Sequence, residues 1–317
     1  MRRRLPQKKK SKKLLWLLIF IFILIILGVI WWPDIWGSRR WDGQRRFNIV
    51  YSTDPVVLVS FEGEEEEATV VVVPESSYMR VPRGYGTYKA ESVYDLGELD
   101  SKVGGGLLIS ETVQSVFGVP IDGYIKLEEK SLGGGNIDYQ RLKSKLFNLK
   151  IISKVTEGKT NLTLPEVIRF YLGMNRLRSD QVDIIDLEKA NILDDIKLPD
   201  SSVVGQIDSD RLDKQLAGAF AEKEMLKENL SIAIENGTSV GGVAGQIARL
   251  IGNMGGKVVD IGNTEGKEEG RCKIMSNVDT TTYTVKRLAQ VFRCVTDKKA
   301  DEGISDISII LGREFIE

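Results

Sequence analysis

The sequence predicts a mixed α/β protein in three parts: a membrane-spanning helix, a middle α/β domain, and a smaller α+β domain at the C-terminus. Three observations lead to this prediction. A long uncharged apolar run stands near the N-terminus, β-rich runs fill the start of the middle region, and residues 228–314 follow a regular order of strand-like and helix-like segments. With 317 residues, the chain is long enough for two domains of ordinary size.

The apolar run Leu14 to Trp32 contains no charged residue and would be about 28 Å long as a helix, enough to span the hydrocarbon core. Eight Lys and Arg residues precede it, so residues 1–13 are predicted to be a cytoplasmic basic tail and the bulk of the chain to be extracytoplasmic. A cleaved signal peptide is the alternative, but no small-residue cleavage site follows the run. The sequence therefore predicts a single-pass protein of the cell membrane.

The tryptophans all lie in or just after this run, where amphipathic rings suit a membrane interface. We therefore expect all five to be interface anchors, and residues 33–46 to be a linker. The five are Trp16, Trp31, Trp32, Trp36 and Trp41.

The charge is distributed unevenly. Residues 1–46 hold twelve Lys and Arg against two Asp, about +10, which leaves about −11 for the rest of a chain whose net charge is −1. An acidic exported part argues against DNA or RNA as a partner. The chain also has no histidine, so the commonest general base and transition-metal ligand is missing.

The C-terminal segment has the clearest pattern. Leu230, Ile232 and Ile234 alternate with more polar residues, as in a half-buried strand, and the apolar residues of 243–254 keep helical spacing. The order strand, helix, strand, strand, helix, strand predicts a ferredoxin-like β-α-β-β-α-β domain at 228–314.

The turn after the first of these strands has the sequence Asn236, Gly237, Thr238. Its backbone N–H groups could receive an anion at the start of the next helix. The alternative is a plain strand-to-helix turn in which Thr238 or Ser239 caps that helix.

The two cysteines, Cys272 and Cys294, are expected near the same end of this domain, one at the start of a strand and one at the end of the following helix. A disulfide is possible, and two separately buried thiols are the alternative.

The middle domain, predicted at 47–222, begins with two β-rich runs joined by the acidic turn EGEEEE, a hairpin in outline. The glutamates lack the interleaved Asp, Asn and Gly of a calcium loop and are expected to be a solvated hairpin tip. A charged, helix-prone segment at 208–229 is predicted to end the domain.

Several segments occur in an order that resembles the catalytic domain of the LytR-CpsA-Psr (LCP) envelope family. They are Asp54 after a strand, VVPESS, KAESVY at 89–94, GVPIDGYIKL at 118–127, and IDYQRLKSKLF at 137–147. The C-terminal NGT turn and VVDIGN strand resemble the LytR C-terminal domain that accompanies this family. The resemblance implies a reduced LCP-like domain followed by a LytR C-terminal domain.

Members of this family transfer glycopolymers from a polyprenyl diphosphate carrier to the cell wall, with arginines on the diphosphate and acidic residues on Mg²⁺. Here the family's R-D-T triplet is replaced by Glu75, Ser76 and Ser77, and a second arginine by Ser144. One charge contact at 4 Å is worth about 4 kcal/mol at an effective dielectric constant near 20, and reversing the charge turns attraction into comparable repulsion. These changes argue against phosphotransfer.

The remaining candidates for a site follow from the same resemblance. Arg80, Arg83, Lys89 and Arg141 could bind phosphate or acidic sugars, and Asp54 and Asp138 could bind Mg²⁺. The alternative is that these are surface charges beside turns.

The sequence thus predicts a non-catalytic envelope protein that binds or scaffolds, with no cofactor. Its expected partners are the membrane together with a cell-wall glycan, a polyprenyl-linked glycan or an envelope protein. The alternative is an Mg²⁺-dependent phosphotransferase that attaches glycopolymers to the cell wall.

Overall fold

The computed structural model describes residues 16–22, 41–74, 77–127, 132, 137–264, 270–298 and 305–315. Residues 16–22 are helical and exposed. The rest of the predicted span 14–32, the basic tail 1–13, and Trp31, Trp32 and Trp36 lie outside the described residues. Within the described part, no helix is both long and apolar enough to cross a membrane.

The middle domain is built on two sheets. Its strands are β1 (Phe47–Ser52), β2 (Val57–Glu62), β3 (Glu67–Val72), β4 (Tyr78–Val81), β5 (Gly86–Lys89), β6 (Gly123–Lys126), β7 (Val182–Asp186), β8 (Leu193–Lys197) and β9 (Val203–Ile207). The main sheet has the order β6-β1-β2-β3-β7, and the smaller sheet has the order β5-β4-β9-β8. The first predicted β-run forms both β1 and β2, which are separated by a cis peptide bond between Asp54 and Pro55.

The helices of this domain are α1 (Val93–Glu98), α2 (Gly105–Phe117), α3 (Tyr139–Lys145), α4 (Lys150–Thr156), α5 (Leu164–Arg176) and α6 (Ser209–Gln215). One core, on one face of the main sheet, includes side chains of α3, α4 and α5. A second core on the other face includes side chains of α1, α2, α6 and the smaller sheet. Because both faces are covered, β1 and β2 are buried along their whole length, which explains their nearly continuous apolar sequence.

The prediction for Trp41 was wrong. Its ring is 1% exposed and stacks on Phe47 with the ring centroids 4.5 Å apart. Its backbone N–H donates to Glu166, which also closes the capping box of α5. The middle domain therefore begins by residue 41 and includes part of the predicted linker 33–46. Apolar contact with Phe47 and Phe61 holds this tryptophan in the core of the domain.

The C-terminal domain has one strand more than the sequence predicted. After α7 (Lys223–Glu228) its elements are β10 (Ser231–Asn236), α8 (Val243–Asn253), β11 (Lys257–Asn263), β12 (Cys272–Ser276), α9 (Tyr283–Phe292), β13 (Val295–Lys298) and β14 (Ile307–Leu311). The sheet order is β11-β10-β14-β12-β13. Each helix joins two neighbouring parallel strands, β10 to β11 and β12 to β13.

The ferredoxin-like topology is therefore wrong, because that fold inserts another strand between the two strands that each helix joins. The extra strand β13 is polar and exposed, as suits a sheet edge, whereas β14 is almost wholly buried. Apolar β14 takes the central position, and its residues Ile307, Ile309 and Leu311 pack into the core of the domain. The mixed α/β class is confirmed.

The two domains meet at a buried junction. Arg287 of α9 contacts Asp122 of the middle domain at 3.2 Å and Glu222 at 2.8 Å. Asp122 also contacts Arg45 at 3.1 Å, and the hydroxyl of Tyr283 donates to Glu222 at 2.5 Å. Burial alone would raise the pKa of Asp122, but the guanidinium groups of Arg287 and Arg45 outweigh it and hold that pKa below its usual range.

A second, partly exposed junction joins α8 to the C-terminal end of α2. Arg249 makes a two-point ion pair with Asp213, at 2.6 and 2.7 Å, and donates to the carbonyls of Ser115 and Val116. Asn253 donates to the carbonyl of Phe117. These groups satisfy the last carbonyls of α2, which carry the negative end of its helix dipole.

Candidate functional site

The candidate site lies at one edge of the main sheet. Strands β1 and β6 are parallel, with Ser52 beside Lys126, so their carboxyl ends meet at that edge. Asp54 follows β1 there, and ligands of open α/β sheets commonly bind at such an edge. The Nζ of Lys126 lies 3.3 Å from Asp95 and 4.7 Å from the centre of the Tyr94 ring.

Lys89 lies near this edge. It ends β5, and its Nζ is 2.7 Å from Glu91. The hydrogen bond to Glu91 is the main cause of the raised pKa of Lys89, and Asp54 makes a smaller contribution. Of the predicted site residues, Asp54 is thus close enough to Lys89 for its charge to act on that side chain.

Arg83 and Arg80 make their contacts elsewhere. Arg83 lies in the turn between β4 and β5, and its guanidinium donates to both carboxylate oxygens of Glu111 on α2, at 2.6 and 2.7 Å. That hydrogen bond raises the pKa of Arg83. Arg80 lines a cavity of about 290 Å³ with Asp194 and Ser209, beside the smaller sheet. Each arginine therefore has an acidic residue nearby that would compete with a phosphate.

The predicted pair Asp138 and Arg141 has a structural role at the start of α3. Asp138 is the N-cap residue and accepts the backbone N–H of Arg141 at 2.8 Å, while the Arg141 side chain donates to the carbonyl of Leu132. This cap stabilises a short helix that carries basic side chains.

Mg²⁺ would find few ligands among the described residues, because no three carboxylate, histidine or cysteine side chains are grouped closely enough there to bind a metal ion. Mg²⁺ is often bound by one or two carboxylates plus phosphates and water. Asp54 and Asp138 could thus hold it only with help from a bound diphosphate, whose charge the ion would neutralise.

Sequence reasoning missed a lysine-lined cavity of about 750 Å³ on α3 and α4. Its basic residues are Lys145, Lys150 and Lys154, its apolar residues include Leu149, which is 64% exposed, and Leu127 joins it to the end of β6. Lys145 stands in the segment IDYQRLKSKLF at 137–147, one of the segments that resemble the LCP family. The lysine spacing in KSKLFNLKIISK was the signal that could have revealed this cavity.

The NGT turn uses its own polar groups. The N–H of Gly237 donates to the carbonyl of Leu311 at 2.8 Å, and the N–H of Thr238 donates to the Asn236 side chain at 3.0 Å. The residue that precedes α8 is Gly242, with φ at 84°, so the predicted cap by Thr238 or Ser239 was wrong. The N–H groups of Gly237 and Thr238 thus already donate hydrogen bonds within the protein, so few donors of this turn remain for an anion.

Cys272 and Cys294 are joined by a disulfide, with their Cα atoms 4.6 Å apart. Cys272 begins β12, and Cys294 lies between α9 and β13. The disulfide therefore links the C-terminal end of α9 to the start of β12.

One family model matches the C-terminal part of the chain. Residues 229–315 match the family model described as "LytR cell envelope-related transcriptional attenuator". No curated protein matches the sequence.

Solved structures of LCP proteins align at low similarity. One is the Bacillus subtilis protein TagT, also called YwtF, with bound octaprenyl pyrophosphate lipid: 19% identity, 54% of this chain, 88% of that chain, TM-score 0.37. Another is B. subtilis TagV: 16% identity, 55% and 95% coverage, TM-score 0.38. A third is Lin1025 from Listeria innocua: 14% identity, 55% and 95% coverage, TM-score 0.39. At these values the likeness carries no argument about this chain.

The family match confirms the resemblance recognised in the C-terminal sequence. Its matched range covers β10 to β14 with both helices between them, which is the whole C-terminal sheet. Residues 229–315 of this chain therefore belong to the LytR C-terminal domain family.

Proposed function

We propose that this chain is a membrane-anchored, extracytoplasmic envelope protein of the LCP type that binds an anionic cell-wall glycan, or its polyprenyl-linked precursor, without transferring it. The observation that carries this proposal is the lysine-lined cavity at the carboxyl edge of β6. The membrane anchor in the proposal rests on the predicted span 14–32.

The cavity suits an amphipathic anion. Among the described residues that line it, three lysines supply positive charge, and Glu157, which contacts Lys154 at 2.6 Å, is the acidic one. Leu127, Leu149 and Ile151 supply an apolar surface beside these charges. Lysines bind phosphate as point charges without fixing its geometry, which suits binding along a polymer better than aligning a single diphosphate for reaction.

Two observations favour binding over phosphotransfer. Arg83 is held by Glu111, so it would have to leave a two-point ion pair to reach a diphosphate. In addition, aromatic side chains fill the core between the main sheet and α5: Phe170 lies 6.0 to 6.5 Å from Phe47, Tyr51 and Phe147. That packing leaves little space for a polyprenyl chain inside this core, so a polyprenyl-linked precursor would bind at the surface, in the lysine-lined cavity.

The test of binding titrates the full chain in detergent micelles with a glycerol-phosphate polymer and follows binding by calorimetry. The double variant Lys150→Gln, Lys154→Gln should bind at least about tenfold more weakly, since it removes two charge-assisted contacts. The matched control Lys189→Gln, Lys197→Gln removes the same charge from outside the cavity and should bind like the wild type. Equal loss in both double variants would show attraction by net charge alone and would contradict the proposal.

The test of catalysis incubates the same protein with Mg²⁺, a polyprenyl-diphosphate sugar and a wall acceptor. We expect no product. Transfer that disappears in Arg83→Ala or Asp54→Asn would establish the alternative, an Mg²⁺-dependent phosphotransferase, and would overturn the non-catalytic proposal.

A further inference from the structure

A second cavity lies on the same face of the main sheet but at the opposite ends of its strands. It measures about 290 Å³ and is lined by residues that precede β1, end β2 and lie on α5, among them Trp41, Phe61, Gly63, Gly173, Arg169 and Arg176. The lysine-lined cavity, by contrast, lies beyond the carboxyl end of β6. The two cavities are therefore separate.

The charge in this second cavity is not balanced. Arg169 and Arg176 both line it, whereas Glu66 is the one acidic residue among its described lining residues. The two arginines stand two turns apart on α5, about 10 Å along its axis. Other buried arginines of the domain have carboxylate partners, as Arg45 has Asp122 and Arg46 has Glu62.

Arg169 is the key residue. Its Nη1 is buried and has no hydrogen-bond partner among the described residues. A Cβ built on Gly43, whose φ is 94°, would lie 3.3 Å from Arg169 Cδ, so the arginine packs closely on that glycine. A half-buried guanidinium beside Trp41 and Phe61 without an anion is costly, and an oxyanion with two acceptor oxygens would relieve that cost.

The position of this cavity indicates where the anion would come from. Trp41 and Gly43 line it, and only eight residues separate Trp41 from Trp32, the end of the predicted membrane span. Eight extended residues reach about 30 Å at most. If the anchor in the proposed function holds, this wall of the cavity stays close to the bilayer surface, where phospholipid headgroups present their phosphate groups.

We propose that this cavity binds the phosphate group of an anionic phospholipid headgroup, with Arg169 as its main contact and Arg176 at its rim. The headgroup would orient the middle domain on the membrane. A phospholipid headgroup and a soluble phosphate would present the same oxyanion to Arg169, so the test has to distinguish the lipid from the soluble phosphate.

The test uses the full chain in detergent micelles, titrated separately with dihexanoyl phosphatidylglycerol, dihexanoyl phosphatidylcholine and glycerol 3-phosphate. The wild type should bind the phosphatidylglycerol, and Arg169→Gln should bind it at least about tenfold more weakly. The matched control is Arg178→Gln: this arginine lies just beyond α5, has a side chain that is 71% exposed, and pairs with Asp180. That control should bind within twofold of the wild type.

Three outcomes would overturn the proposal: equal loss in Arg169→Gln and Arg178→Gln, equal binding of the phosphatidylcholine, or binding of glycerol 3-phosphate as tight as that of the lipid. The last would assign the cavity to a soluble phosphate. If Arg169→Gln fails to fold, Arg176→Gln, an exposed residue of the same cavity, takes its place and should lose affinity in the same direction. The double variant Lys150→Gln, Lys154→Gln should bind the lipid like the wild type. Loss of lipid binding and loss of glycan binding can therefore be told apart, and each proposal can fail by itself.

Discussion

The two junctions between the domains use similar groups in different surroundings. At the first, the side chains of Arg287 and Glu222 are each 2% exposed, and Arg287 spans two carboxylates from different parts of the chain. At the second, the side chains of Arg249 and Asp213 are 23% and 26% exposed. All three guanidinium nitrogens of Arg249 donate hydrogen bonds, whereas Nη2 of Arg287 has no hydrogen-bond partner among the described residues.

The two junctions differ in what it costs to form them and in what is lost when they are broken. Removing two opposite charges from water costs several kcal/mol per ion, and their attraction only offsets that cost when the pair is complete. Removing one partner from the buried junction should therefore lower the free energy of unfolding strongly. The partly exposed junction costs less to form, and it should lose less when it is broken.

The largest expected effect comes from Arg287→Met. It leaves Asp122 and Glu222 buried with less compensation, so we expect a loss of about 3–5 kcal/mol in the free energy of unfolding, measured by urea titration. Adding Glu222→Gln to this variant should recover part of the loss, because it removes one of the stranded charges. A loss in Arg287→Met no larger than that in Arg249→Ala would contradict the distinction between the two junctions.

A smaller effect is expected for Arg249→Ala, at about 1–2 kcal/mol. The variant loses a partly screened ion pair and leaves the carbonyls of Ser115 and Val116 to water. Because this junction is partly exposed, added salt should reduce the difference between variant and wild type, whereas the Arg287→Met difference should respond little. Urea titrations at low and high salt measure both.

The smallest effect concerns Glu62, at the outer end of the buried junction. Burial raises its pKa to about 7, against the opposing charge of Arg46, and Glu222 and Glu65 raise it further. A carboxyl whose folded pKa lies above its unfolded value favours folding at low pH, and its contribution declines as the pH rises from about 4.5 through 7. The free energy of unfolding of Glu62→Gln relative to the wild type should thus rise by about 1 kcal/mol between pH 5 and pH 8. This change is superimposed on a pH-independent loss, because the variant leaves the buried Arg46 without its carboxylate partner.

Asp122 titrates in the opposite sense and serves as the contrast. Its folded pKa is lowered, so its contribution is present above its ordinary range and is lost only as the pH falls below that range. Thermal unfolding of the wild type and Glu62→Gln from pH 4 to pH 8 tests Glu62, whereas the loss that protonation of Asp122 would cause lies below this pH range. A Glu62→Gln difference that stays constant with pH would rule out titration of Glu62 in this range.

Much of the fold could be predicted because the pattern is local. The apolar runs of β1 to β3 and the helical spacing of α8 are visible in the sequence, and the NGT turn falls between strand and helix as expected. Trp41 could not be placed in this way, because its burial depends on Phe47 and on Glu166, which is 125 residues away. The strand β13 was missed because its side chains are polar and exposed.

The candidate site shows the same limit. Sequence reasoning named Asp54 and Lys89, which the structure brings near one edge, and Arg83, which pairs with Glu111 on another element. It overlooked Asp122, although that residue stands inside the GVPIDGYIKL segment used for the resemblance. Its role in the buried junction depends on Arg287, which is 165 residues away.

The sequence by itself determined the mixed α/β class, the charge asymmetry and the candidate membrane span, because these follow from composition and short-range periodicity. It also indicated the LytR C-terminal domain, through the resemblance of the NGT turn and the VVDIGN strand to that family. Only the tertiary structure decided the strand order of the C-terminal sheet, the two cavities at opposite ends of the main sheet, and the carboxylate that each buried arginine contacts. Those features depend on which distant segments pack against each other in the interior. A charge buried there is costly unless it is paired, so the fold determines which carboxylate each buried arginine contacts.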